Sequence, residues 1–314
     1  MPAPGALPAH LAALERAGFD VVTLAGNHIA DRGAEGIADT RAELDRLGIH
    51  HCGAGADLDQ ARAPARFTVG SARIALLSYN CVGPEASWAT ASRAGCAYIK
   101  VDTADGSPIA PAAALQTADP DSLAAMSQDI AAAARDDSVV VVALHKGIVH
   151  TPVRLAPYER PIAHQAIDAG AAIVVSHHAH ILRGIEFHRG KPIFHGLGNG
   201  CVVTQALSPD QSHPARAEWA RQRRLRFGFE PDPAYTLAPF HPEAVHALLA
   251  RVRLLESGQV EAGFIPIHVE PPGRPVLAQG AAADRVIDYV RRITVEAGLA
   301  PLTLTRRDDM VLVR

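Results

Sequence analysis

The chain has 314 residues, with 30 Lys+Arg against 33 Asp+Glu and a formal charge of −3. That balance leaves no electrostatic footprint for DNA, RNA or an anionic membrane face. With 48% hydrophobic and 20% charged residues, the chain can fill a packed core, and global disorder is excluded. The length suits one large domain or two small ones. The longest strongly apolar run, Val139–Leu144, falls far short of the roughly 20 residues that span a bilayer. The N-terminus lacks the basic-then-apolar order of a secretory signal, so the chain as written is expected in the cytoplasm. Cys52, Cys81, Cys96 and Cys201 are scattered without a C-x-x-C, which reads as isolated reduced thiols.

Taken in order, the elements alternate between β and α. Leu7, Leu11 and Leu14 have helical spacing, and Gly18 stops that helix. Phe19–Leu24 reads as a buried strand. Ile37, Leu44 and Leu47 define a helix over 34–47, followed by short strands near Ile49–Cys52 and at Arg73–Tyr79. The stretch at about 84–121 is rich in Ala, Pro, Gly and Ser and is expected to be a long insertion or a lid-like excursion. Beyond it come a helix at 122–134, a strand at Val139–Leu144, a helix at 158–168 capped by Gly170, and a strand at Ala171–Ser176. Ile185–His188 and Pro192–His195 pair as a hairpin through Arg189-Gly190. Arg216, Arg221, Arg223, Arg224 and Arg226 crowd around Trp219 and Phe227; this is read as a solvated helix face rather than a nucleic-acid helix. Residues 247–270 form a hairpin around Glu256–Gln259, and 281–297 a helix with Val286, Ile287, Val290 and Ile293 inward.

The sixteen histidines are unevenly placed. Three clusters follow predicted strands, where α/β folds build their sites: Asn27-His28, His145-Lys146, and His177-His178-Ala179-His180. Imidazole suits borderline dications such as Zn, Fe or Mn, and an Asn carbonyl adds a neutral oxygen. A bent loop after a strand brings His178 and His180 toward neighbouring ions, and a second loop delivers His145. Two ions about 3.5–4 Å apart can clamp both attacking and leaving oxygens.

The run Gly18-Phe19-Asp20-Val21-Val22-Thr23-Leu24-Ala25-Gly26-Asn27-His28, with Asp31 and Gly33, resembles the CapA (poly-γ-glutamate capsule biosynthesis) family of the calcineurin-like metallophosphoesterase superfamily. Gly48-Ile49 and Gly53-Ala54-Gly55 fit the same pattern. So do Asp168–Ala171, Ser176–His180, Gly184-Ile185-Glu186, Gly190–Phe194 and Leu197-Gly198-Asn199. The resemblance covers roughly residues 7–204. It implies an α/β fold of four-layer αββα sandwich type. It also implies one or two divalent ions (Mn, Fe or Zn), with Asn27, His145 and His178 on one and His180 on the other. His28 would be the catalytic proton donor or oxyanion partner. His177, Lys146, His150 and Tyr158 would line the pocket or support the ligands. Residues 1–204 would form the core and 205–314 an extension completing the sheet and packing on it.

The chain departs from this pattern at its start. The superfamily's Asp-x-His and metal-bridging Gly-Asp have no counterpart, since neither string occurs anywhere in the sequence. Two dications without a bridging carboxylate repel strongly, and lost strands would leave sheet edges uncovered. An N-terminal segment is therefore expected to be missing; with it restored, the protein would be exported or membrane-tethered. Lys146 to His150 replaces an aromatic–acidic pair found in relatives and makes the pocket more basic, as an anionic small molecule or polymer would require. The expected function is a metal-dependent hydrolase acting on a phosphoester or amide-containing anionic substrate. The alternatives are a non-catalytic accessory in capsule polymer synthesis or export, or a remnant without a complete dimetal site. No nucleic acid or membrane span is expected, and the sequence leaves the oligomeric state open.

Overall fold

A computed structural model describes residues 5–135, 138–200, 202, 204–205, 212–255, 260–308 and 310–314. The fold is mixed α/β, in two compact units. The first comprises Met1–Gly147 and Leu155–Ser176, the second Ile148–Arg154 and His177–Arg314.

In the first unit, β1 (Val21–Thr23) pairs in parallel with β2 (His50–Cys52). Between them runs α1 (Gly33–Arg46), which buries Ile37 and Leu44. β3 (Ala65–Val69) is antiparallel to β4 (Ala72–Asn80), and β4 is parallel to β5 (Val139–Lys146), with Asn80 opposite His145. β6 (Ile173–His178) neighbours β5; its last two residues, His177 and His178, fall in the second unit. The β1–β2 pair and this sheet share a core of Cys52, Ala65, Leu76 and Ala143, with Val21, Phe67, Val141 and Val175 against it. β5 is nearly continuous Val, Ala and Leu because both of its faces are covered.

Two helices enclose this sheet's connections. α2 (Pro120–Ala134) starts where Asp119 accepts the Ser122 N–H at 2.9 Å, with proline in its first turn. α3 (Glu159–Asp168) ends at Gly170, whose φ of +120° suits glycine; Ala171 N–H reaches back to the Ala166 carbonyl at 3.0 Å. Asp129 on α2 receives a forked bond from Arg62 (2.8 and 2.7 Å) and the Tyr79 hydroxyl at 2.9 Å.

The insertion at about 84–121 contains short paired strands and an aromatic stack. Gly95–Cys96 pairs with Ala54–Gly55, and Val101–Thr103 with Leu115–Ala118. The Trp88 ring stacks on Tyr98 at 4.1 Å, and Trp88, Ile99 and Val101 are buried. The composition concealed this because each strand is too short to develop a period.

In the second unit, β7 (Ile185–His188) and β8 (Lys191–Phe194) form the expected hairpin. Its Arg189-Gly190 turn has φ of +49° and +74°, which matches strand twist. α4 (Pro214–Phe227) carries the arginines. β9 (His246–Leu254) pairs along its length with Val260–His268 of β10 (Val260–Glu270); the turn expected at 256–259 lies outside the described residues, as does Cys201. β11 (Arg274–Leu277) flanks β10. α5 (Gly280–Glu296) buries Val286, Ile287, Val290 and Ile293 as its spacing predicts. β12 (Leu304–Arg307) and β13 (Met310–Val313) complete a sheet in which β13 is next to β10.

Candidate functional site

Two of the expected donors meet in the first unit. The turn after β1 carries Asn27, and the end of β5 carries His145. Asn27 Oδ1 lies 2.7 Å from His145 Nε2, so the imidazole donates to the amide oxygen in the tautomer this contact requires. Gly26 passes closely over the ring: a Cβ there would lie 3.7 Å from His145 Cε1. His145 is buried and Asn27 half-buried. Gly53, at the end of β2, holds this layer tight. At φ +94°, any Cβ would come within 2.9 Å of Ala25 and Ser78.

His28 stands apart from that pair. Its side chain is 74% exposed, and its Nδ1 is 2.8 Å from Asp31 Oδ2. The carboxylate fixes the ring and leaves Nε2 for another partner. Lys146, expected at the pocket or behind it, is fully buried. Its Nζ donates to Glu159 Oε2 at 2.9 Å, while Glu159 Oε1 accepts the Ala156 N–H at 2.7 Å. Tyr158 is buried too, with its hydroxyl accepting the Gly147 N–H at 2.9 Å. Both residues brace the backbone that follows His145, and neither reaches solvent. Cys81 packs beside them, its thiol pushed up to about 12 mainly by burial.

The second unit gathers the remaining histidines. His150, His178 and His180 have φ of +53°, +103° and +55°, left-handed values rare outside glycine. Such strain collects where the surrounding structure enforces it, typically at functional sites. His180 Nδ1 is 3.1 Å from Asn199 Oδ1, and Asn199 Nδ2 donates to the His180 carbonyl at 2.9 Å. The His178 and His180 rings lie 6.4 Å apart. His150 is enclosed by Phe227 (5.0 Å), Phe229 (5.1 Å), His180 (5.9 Å) and His241 (6.2 Å). Burial first, then His180 and His241, push its pKa down to about 3. His177 is lowered to about 4, mainly by burial. Arg183, fully buried, donates to the carbonyls of Ile148 and Arg154 and so pins the segment bearing His150.

The model of the bacterial capsule synthesis protein PGA_cap matches residues 3–202. The chain belongs to this family. The stretch that matches carries every candidate residue, from Asn27 to His180. A probable polyglutamine synthesis accessory protein of Mycobacterium tuberculosis is 35% identical over 57% of this chain and 44% of its own length. The capsule biosynthesis protein CapA of Bacillus anthracis is 27% identical over 60% of this chain and 41% of its own. The match thus spans less than half of these relatives. An uncharacterized protein of Sinorhizobium fredii is 29% identical over 96% of this chain and 77% of its own.

In this PGA_cap chain, an Asn oxygen facing an imidazole nitrogen is chemistry that suits a borderline dication. Asp31, the acid that follows Asn27 in the chain, is engaged by His28. Among the described residues, no three His, Cys, Asp or Glu side chains are grouped to hold a metal. Sequence reasoning missed Glu159, the partner of Lys146, and His241, the neighbour of His150. Neither had a motif, and both are recognised only through partners distant in the chain. Asn199, by contrast, stood in the Leu197-Gly198-Asn199 string.

Proposed function

We propose that this PGA_cap protein acts in the synthesis of an anionic capsule-type polymer as a metal-dependent hydrolase of its amide or phosphoester links. The observation that carries the reading is the 2.7 Å contact between Asn27 Oδ1 and His145 Nε2 at two strand ends. In this reading Asn27 and His145 supply one donor pair, and His178 and His180 another. The scaffold is the metallophosphoesterase-like sandwich. A bound dication supplies positive charge for a carbonyl or phosphoryl oxygen. His28, steadied by Asp31, holds the proton for the leaving group at Nε2. Lys146 and Tyr158 keep the end of β5 rigid, so the His145 ring does not wander from its partner.

The name of the Mycobacterium tuberculosis relative favours a second reading, an accessory that binds the polymer without cleaving it. The two separate by turnover. The protein, purified without chelator or affinity tag, is assayed for metal by elemental analysis and then offered poly-γ-glutamate and phosphoesters. Metal-dependent chain shortening or phosphate release supports the hydrolase. Bound metal with no turnover overturns it and leaves the accessory.

A further inference from the structure

The second unit's histidines are packed against side chains from beyond residues 3–202, the stretch that the family model matches. α4 ends at Phe227, where Gly228, at φ +72°, turns the chain left-handed and its N–H closes on the Arg224 carbonyl at 2.8 Å. That turn sets the Phe227 and Phe229 rings nearly parallel, 10° apart in plane and 6.3 Å between centres. Both meet the His150 ring edge to face, at 74° and 72°. Phe229 also packs on the core of Ala220, Ala238 and Phe240. His241 closes the group: its ring lies within 10° of the plane of His150 and 5.0 Å from Phe229. The Glu243 N–H donates to His241 Nδ1 at 3.1 Å, which fixes the ring at the start of the turn Pro242–Val245. His150 Nδ1 is buried with no hydrogen-bond partner among the described residues, so packing rather than a bond at that nitrogen holds the ring.

His150 in turn holds backbone. Its N–H donates to the Ala179 carbonyl at 2.8 Å, and Ala179 stands between His178 and His180. This bond ties together two segments whose histidines all have left-handed φ, a region that a non-glycine residue leaves unless its surroundings enforce it. If the His150 ring swings away, its backbone relaxes, the bond to Ala179 is lost, and the peptide between the two histidines is free to rotate. Asn199 holds His180 from its own side, so the loss falls on the relative placement of the two rings, 6.4 Å apart. We propose that Phe227, Phe229 and His241 form an aromatic clamp that positions His178 and His180 through His150. The three act through His150 and are positioning residues. The clamp rests on the reading above in which His178 and His180 supply a donor pair, and it makes the segment beyond residue 202 part of that site.

The test uses the full chain, with Zn²⁺ as the probe. His241→Asn keeps an acceptor at the start of the turn but removes the ring. Phe229→Leu keeps an apolar side chain on the Ala220 core. The double variant should exchange the His150 amide hydrogen roughly tenfold faster or more, read by NMR, and bind Zn²⁺ weaker by a similar factor, read by competition with a chromophoric chelator. Amides of β9 and β10 should exchange as in the parent, which a general loss of stability would not allow. His241→Phe, which restores a ring over His150, should recover most of both losses measured for His241→Asn. Should the double variant not fold, His241→Asn alone carries both readouts. Parent-like exchange at His150 overturns the clamp. Faster exchange with unchanged Zn²⁺ affinity overturns its link to His178 and His180. A parent that binds no Zn²⁺ overturns the donor-pair reading itself and the clamp with it, so the parent's own titration tells the two failures apart.

Discussion

Asn27 Oδ1 sits 2.7 Å from His145 Nε2, joining residues 118 apart in the chain. The contact needs Nε2 to carry a proton, whereas a metal needs that nitrogen bare. Ion binding must therefore displace this proton. Asn27→Ala should lower metal content about tenfold or more, read by elemental analysis after dialysis. Content equal to the parent's would remove Asn27 from the donor set.

His28 is exposed, and Asp31 holds its Nδ1 at 2.8 Å. His28→Ala should reduce turnover by about 10²–10⁴-fold, the usual share of a positioned acid, with metal content and melting temperature near the parent's. Loss of metal in this variant would make His28 a ligand instead.

Lys146 and Glu159 are both fully buried and 2.9 Å apart. Removing one partner strands the other's charge, so Lys146→Met should cost about 3–5 kcal/mol in urea unfolding. Adding Glu159→Leu should recover much of that loss. A single variant as stable as the parent would show that the pair is not held as a buried ion pair.

Gly53 combines φ +94° with backbone and side-chain atoms 2.9 Å from where a Cβ would stand. Gly48, at φ +69°, opens to free space. Gly53→Ala should thus destabilise more than Gly48→Ala, whose cost is only the left-handed penalty of about 1–2 kcal/mol. Equal midpoints for the two variants would mean that the layer around Ala25 and Ser78 yields easily.

His246 lies 4.7 Å from the Tyr289 ring, and burial, followed by His268 and nearby arginines, lowers its pKa to about 4. Below the unfolded value of about 6.5, the unfolded chain binds the extra proton first. The stabilising share of neutral His246 is therefore complete above pH 6.5 and is lost as pH falls toward 4. His246→Gln should flatten the fall in urea midpoint between those values. An acid limb of unchanged slope would mean that His246 titrates normally.

The local elements were legible because their signals are local. Val286, Ile287, Val290 and Ile293 repeat with the helical period, and Arg189-Gly190 supplies the two positive φ values a tight hairpin needs. The placement of Asn27 and His145 at strand ends followed from the same patterns. The strands within the insertion at about 84–121 were not legible because strands of two to four residues carry no period. Their order comes from partners such as Ala54–Gly55, which lie far away in the chain.

The sequence by itself determined the α/β class, the family and the three histidine clusters, because periodicity and motif strings are properties of neighbouring residues. Only the tertiary structure decided what each polar side chain faces. Lys146 reads as a basic pocket residue until Glu159 is found beside it. His150 reads as another loop histidine until Phe227, Phe229 and His241 surround it and keep it neutral. The charge state and reach of a polar group depend on burial and on partners brought in from elsewhere in the chain, and no spacing along the chain encodes either.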